Sequence, residues 1–132
     1  MVVARTGNAF VPEGVSYWEL STRKDVKQKA AADYEERLKH LNGVDTKNST
    51  YVCVTARRWS DKEEWAAGRQ ADGVWRSVRA YDADDIETWL ESAPAVHIWI
   101  SIQLGEEIHR PYAIGSEGEL ARSSRAARVT FK

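Results

Sequence analysis

A chain of 132 residues with 42% hydrophobic and 30% charged residues is one globular domain's worth, long enough to bury a core without staples. Its net charge of −1 excludes a whole-molecule electrostatic grip on nucleic acid, though not a local basic patch. A lone cysteine, Cys53, excludes a disulfide framework and a cysteine-based zinc site, no run approaches the roughly 20 apolar residues of a membrane span, and no signal peptide opens the chain, so a reducing, cytoplasmic setting without membrane contact is expected.

Residues 1–5 predict a short strand, broken by the turn signal Thr6-Gly7-Asn8. After Pro12-Glu13-Gly14, residues 15–21 (VSYWELS) predict a second strand. Val15, Tyr17, Glu19 and Ser21 take one face of it, and Ser16, Trp18 and Leu20 the other. The two strands are close enough to pair as a hairpin with a long loop. A helix follows over 25–41, with the apolar stripe Val26, Ala30, Tyr34, Leu38 and Leu41. Thr22 or Asp25 is expected to cap it, and Gly43 to end it.

Residues 50–56 (TYVCVTA) predict a fully buried strand, with Cys53 a structural thiol inside it. A strand, a helix and an apolar strand in that order make a right-handed crossover with parallel pairing. Ser60 is the expected cap of a second helix over 61–67, with Glu63 at the capping-box position. A strand is expected over 74–81, and then a helix opened by Asp82, Asp84 and Asp85 as solvated acidic residues near its positive end. A last helix over 95–104 is expected to turn Val96, Trp99, Ile100 and Leu104 inward. Six tryptophans sit mostly at periodic positions, which predicts core packing. Residues 1–105 thus read as one α/β domain, a central mixed sheet (a hairpin, then parallel strands) flanked by helices, and residues 106–132 as a basic tail or linker.

Glu19 is the residue this pattern does not absorb. A charge in an aromatic-rich strand is disfavoured unless that face is wet or functional. Around it, residues 11–22 (VPEGVSYWELST) are followed by Lys29-Ala30, Asp33-Tyr34 and Arg37, by Val54-Thr55-x-Arg57-Arg58-Trp59, and by residues 81–90 (YDADDIETWL). In this order the four runs resemble the restriction-endonuclease-like domains of PD-(D/E)XK type found at the front of large bacterial NTPase proteins of anti-phage defence.

The resemblance implies a Mg²⁺- or Mn²⁺-dependent endonuclease acting on double-stranded DNA. It further implies other domains of a larger protein, with self-association as one arrangement. Glu19 matches the acidic position of the family's second motif and becomes a metal ligand and catalytic residue. Where the family has lysine two residues on, this chain has Ser21. Lys29 is preferred as the replacement catalytic lysine because it lies next to the stripe residue Ala30, and an i,i+4 ion pair with Asp33 is its plainer reading. The family's first aspartate precedes the hairpin strand, yet no aspartate occurs here before Asp25. Either the chain is truncated or the site never assembled, with Glu13 as the stand-in ligand. Lys24 and Lys27 at the first helix, with Arg57 and Arg58 at the end of the central strand where open α/β sheets bind ligands, are the expected phosphate contacts. A second outcome keeps the fold and drops the chemistry, leaving a module that binds DNA or protein. Phosphate-cradling motifs (G-x-x-x-x-G-K-[ST], G-x-G-x-x-G) are absent, as is any metal-ligand spacing among His40, His97 and His109.

Overall fold

The computed structural model describes residues 1–105; the expected basic tail, 106–132, lies outside them. The hairpin forms from β1 (Val2–Ala4) and β2 (Gly14–Ser21), antiparallel with Val2 opposite Ser16 and Ala4 opposite Gly14. β1 therefore covers only the first part of β2, and among the described residues no strand pairs with 17–21 on that side. α1 (Val26–Lys39) then leads to β3 (Ser49–Thr55), α2 (Lys62–Ala71) to β4 (Ser77–Tyr81), and α3 (Ala83–Glu91) follows. The sheet order is β1-β2-β3-β4, with β2, β3 and β4 parallel. The mixed sheet of a hairpin and parallel strands is the architecture the sequence predicts. β3 is buried at all seven positions, as a strand with parallel neighbours on both sides must be.

α1 and α2 cover the same face of the sheet. Ala30 and Tyr34 from α1 and Trp65 and Ala66 from α2 close over Tyr51, Cys53, Val78 and Ala80, with Val26, Leu38 and Leu41 at the margin, so the predicted stripe is the buried one. Edge-to-face packing of Tyr34 on Tyr51, at 5.1 Å between ring centroids, and the Trp59–Trp65 contact at 5.3 Å make this core strongly aromatic. Burial pushes the Cys53 thiol up to about 12, so it is an inert packing residue.

The opposite face carries a second cluster, in which Trp18 packs at 6.2 Å from Tyr81 and 6.1 Å from Trp89. Phe10 stacks on Trp89 at 5.3 Å. Five of the six tryptophans thus pack against other aromatic rings, as periodicity predicts. The loop that brings Phe10 there is held by Asn8, whose side-chain oxygen accepts from the Phe10 and Val11 N–H groups at 2.8 and 2.7 Å. A Cβ at Gly7 would stand 2.8 Å from the Glu13 nitrogen and 3.1 Å from the Val11 oxygen. Both obstacles are backbone and cannot swing away. Gly7→Ala is therefore expected to cost about 1–3 kcal/mol, read as a lower urea midpoint at unchanged slope.

Several local expectations are corrected. Asp25 precedes α1 but does not cap it, because its carboxylate is taken by the Arg23 guanidinium at 2.8 and 2.7 Å. Ser60 does not cap α2 either, donating instead to the Asp61 carboxylate at 2.8 Å. α2 runs to Ala71, beyond its predicted end. β4 starts later than predicted because the Arg76 N–H turns to the Thr46 and Ser49 carbonyls, at 2.9 and 3.1 Å, before the ladder begins. The chain divides after Trp89, and the sheet belongs to the unit Met1–Trp89. In the second unit α4 (Pro94–Gln103) forms, but Val96, Trp99 and Leu104 are exposed rather than inward, Trp99 to 61%. Val96, Trp99, Ile100 and Leu104 do recur at helical spacing, but Ile98 and Ile102 make the rest of α4 apolar as well, so the spacing does not single out one buried face. Among the described residues no helix is long and apolar enough to cross a membrane.

Candidate active site

Alternation along β2 turns Tyr17 and Glu19 toward α1, where Tyr17 joins the core and Glu19, two residues nearer the strand end, meets the polar side of the helix. Lys29, Asp33 and Arg37 repeat every four residues on α1 and so form a charged row beside the apolar stripe. Arg37 donates from Nε (2.9 Å) and from Nη2 to the same oxygen of Glu19, Oε1. Lys29 donates from Nζ to Oδ1 of Asp33. These pairs are partly buried, the Glu19 and Arg37 side chains being 27% and 31% exposed.

Glu19 and Asp33 line two adjoining clefts. One, of about 190 Å³, is completed by Glu36, Arg37 and His40. The other is small, enclosed and floored by Ser21, Cys53 and Thr55. Oε2 of Glu19 and Oδ2 of Asp33 have no hydrogen-bond partner among the described residues. Mg²⁺ is commonly held by one or two carboxylates, with water and substrate phosphate completing the shell. Two carboxylates on one cleft, each with an open oxygen, fit that habit. No group of three or more His, Cys, Asp or Glu placed for a metal ion occurs among the described residues, so a closed protein cage is not formed there.

The structure sorts the predicted residues. Glu19 lines the clefts together with Asp33, whereas Lys29 lines neither and is linked to them only by its bond to Asp33. Glu13 is not: it precedes β2 and is exposed, and its carbonyl accepts from Arg76 at 2.7 Å. Six residues of extended strand, about 20 Å, separate it from Glu19, so the two cannot hold one ion. Asp33 is the carboxylate that shares the cleft with Glu19, and its signal was the i,i+4 row.

The basic residues divide as well. Parallel pairing puts the ends of β2, β3 and β4 at one sheet edge, with Lys24, Arg57 and Arg58 in the segments leaving it. Arg57 Nε donates to the Thr22 carbonyl at 3.1 Å, joining two of those segments, and Arg58, 83% exposed, pairs with Asp84 at 3.0 Å. Lys27 faces α2 instead, in a cleft with Asp61, Glu64 and Arg69.

At the same edge lies a cluster that includes Asp82 and Asp85, and there Asp82 is not the solvated helix-opening acid that its position suggests. Asp82 is 4% exposed. Its carboxylate accepts from Lys62 Nζ at 2.8 Å and from the Trp59 N–H at 2.9 Å, while Asp82 and Asp85 exchange side-chain and backbone bonds as a capping box for α3. Lys62 also bonds Asp85. Burial opposes ionisation of Asp82, but the Lys62 bond and the two N–H donors outweigh it and hold the carboxyl at about 2. This cluster ties the start of α2 to the start of α3 and has no open oxygen pair of the Glu19–Asp33 kind. Spacing could not reveal it, because its lysine and its aspartates are 20 and 23 residues apart.

No protein-family model, curated protein or solved structure matches the chain.

Proposed function

We propose that this chain is a nucleic-acid-processing domain of the PD-(D/E)XK endonuclease type, hydrolysing phosphodiester bonds of double-stranded DNA with Mg²⁺ or Mn²⁺ in bacterial anti-phage defence. The observation that carries the reading is the shared cleft of Glu19 and Asp33, with Lys29 bound to one carboxylate. Glu19 and Asp33 would hold the cation, which when bound lowers the pKa of a water and neutralises charge developing on the phosphate. Lys29 keeps a positive charge at the cleft where the water and phosphate oxygens would gather. Arg57, Lys24 and Arg58 present cations along the neighbouring edge to the rest of the backbone.

The purified chain is expected to nick plasmid DNA with Mg²⁺ or Mn²⁺ and to stop when EDTA is added. A folded protein that leaves the plasmid intact under both metals would remove the catalytic reading. Replacing Arg57 and Arg58 together by alanine should weaken binding to duplex DNA and flatten its salt dependence by about one to two counterions. Unchanged affinity and slope would take both out of the interface.

A specific observation favours a second reading, in which the domain binds DNA or a protein without cutting. Each carboxylate of the pair is already neutralised by a basic side chain of α1. Metal-independent DNA binding with no cleavage would be its signature.

A further inference from the structure

We infer that the outer edge of β4 is a docking site for an extended peptide strand that carries acidic and basic residues in alternation. β4 is the last strand of the sheet, so among the described residues no strand pairs with its outer side. Alternate residues of a strand turn both backbone groups to the same side, and in β4 the even-numbered ones face outward. Gln70 of α2 fills the first position of that row as a neighbouring strand would. Its Oε1 accepts from the Val78 N–H at 2.8 Å, and its Nε2 donates to the Arg76 carbonyl at 3.3 Å. The Asp85 carboxylate fills the last position, accepting from the Asp82 N–H at 2.9 Å. Between them, the Val78 carbonyl and the N–H and carbonyl of Ala80 have no partner among the described residues. Side chains blunt the edge on either side of this gap and leave the gap itself open.

The gap opens into a groove of about 390 Å³ whose two walls differ in charge. α2 supplies one wall with Glu63 and Ala66, and Asn8, Ala9, Arg79 and Tyr81 form the other. Val78 and Ala80 turn their side chains into the core beneath α2, so Arg79 and Tyr81 point to the opposite face. Glu63 makes no ion pair among the described residues, and Arg79 donates only to the Tyr81 hydroxyl, at 3.2 Å. A residue of an extended chain offers its own N–H and C=O to one side, the complement of the open groups on Val78 and Ala80. Successive side chains of that chain then alternate between the two walls, whichever way it runs. An acidic residue toward Arg79 and a basic one toward Glu63 satisfy both. This matching favours a foreign strand over a second copy, because pairing about a two-fold axis would set Glu63 toward Glu63.

The test is amide NMR of the isotope-labelled chain, titrated with a short blocked peptide of alternating lysine and glutamate. The Ala80 amide is expected to shift on binding, with a Kd of roughly 1 mM for so short a contact. The fully N-methylated form of the same peptide has no backbone donor and should bind about tenfold more weakly. Exchanging its lysines for glutamates should weaken binding about fivefold, and Glu63→Lys, a change at an exposed position, should reverse that preference. An Ala80 amide that no peptide moves would overturn the site. An N-methylated peptide that binds as well as its parent would overturn the strand pairing, and equal binding of the two charge patterns would overturn the chemistry given to the partner. An Ala80 amide that shifts with protein concentration alone would assign the gap to a second copy and overturn the peptide. The peptides are varied while the protein stays wild type, so the first two comparisons do not depend on any variant folding.

Discussion

Replacing Glu19 by glutamine is expected to lower metal-dependent cleavage about 100-fold or more while leaving the melting temperature within a few degrees of wild type. Glutamine keeps the shape of the side chain and an oxygen to accept from Arg37, so packing against α1 survives. What goes is the negative charge that, on the proposed reading, helps to hold the cation. The lost ion pair is partly exposed, and such pairs contribute at most about 1 kcal/mol. The two readouts separate the roles of this carboxylate. Full loss of cleavage at constant stability assigns it to chemistry, and a large fall in melting temperature with proportionate loss of activity assigns it to structure.

Lys62→Met is expected to act in the opposite sense, with a large effect on stability. Methionine fills most of the space but leaves Asp82 and Asp85 facing one another with no cation between them. Removing one partner of a buried ion pair costs about 3 kcal/mol or more, which is a fall of roughly 10 °C in melting temperature for a chain of this size. The pH dependence carries the same signature. The folded carboxyl of Asp82 sits at about 2, below its unfolded value, so its contribution is complete above about 4 and is lost as the pH falls from there through about 2. At 6% side-chain exposure this contribution is about 2 kcal/mol in the wild type. In Lys62→Met the folded pKa moves back up, and the loss of stability on acidification shrinks. Urea melts of both proteins between pH 2 and 6 read the difference directly. A variant as stable as the wild type, with the same acid limb, would show that the cluster contributes nothing.

The elements of the first unit were legible because two periods dominate its sequence. The four-residue stripe from Val26 to Leu38 specifies the buried face of α1, and the charge-free run of β3 specifies a central strand. The strand–helix–strand order then fixes parallel pairing. Caps were less legible: Asp25 and Ser60 have suitable side chains, yet Arg23 and Asp61 compete for them at closer range. The site divides along the same line. Glu19 stood out because a carboxylate interrupts an aromatic strand, and Lys29 because of its place on α1. Glu13 was favoured by nearness in sequence to Glu19, but an extended strand converts six residues into a distance no ion can bridge. Asp33 was visible only as an ion-pair partner until the fold set it across from β2. Asp82 and Lys62 show the limit most plainly, since only the crossover through α2 and β4 brings them together.

The short reach of β1 along β2 decides how this protein is best prepared. Counting back from the pair Val2 and Ser16, Met1 falls opposite Tyr17, and the second residue placed ahead of it falls opposite Glu19. Directly opposed residues of an antiparallel pair point to the same face within about 5 Å of each other. An amino-terminal tag that continued this register would lengthen the sheet along residues 17–21 and stand beside Glu19. A histidine tag there would bring its own metal ligands into the assay, and an acidic linker would add carboxylates beside Glu19.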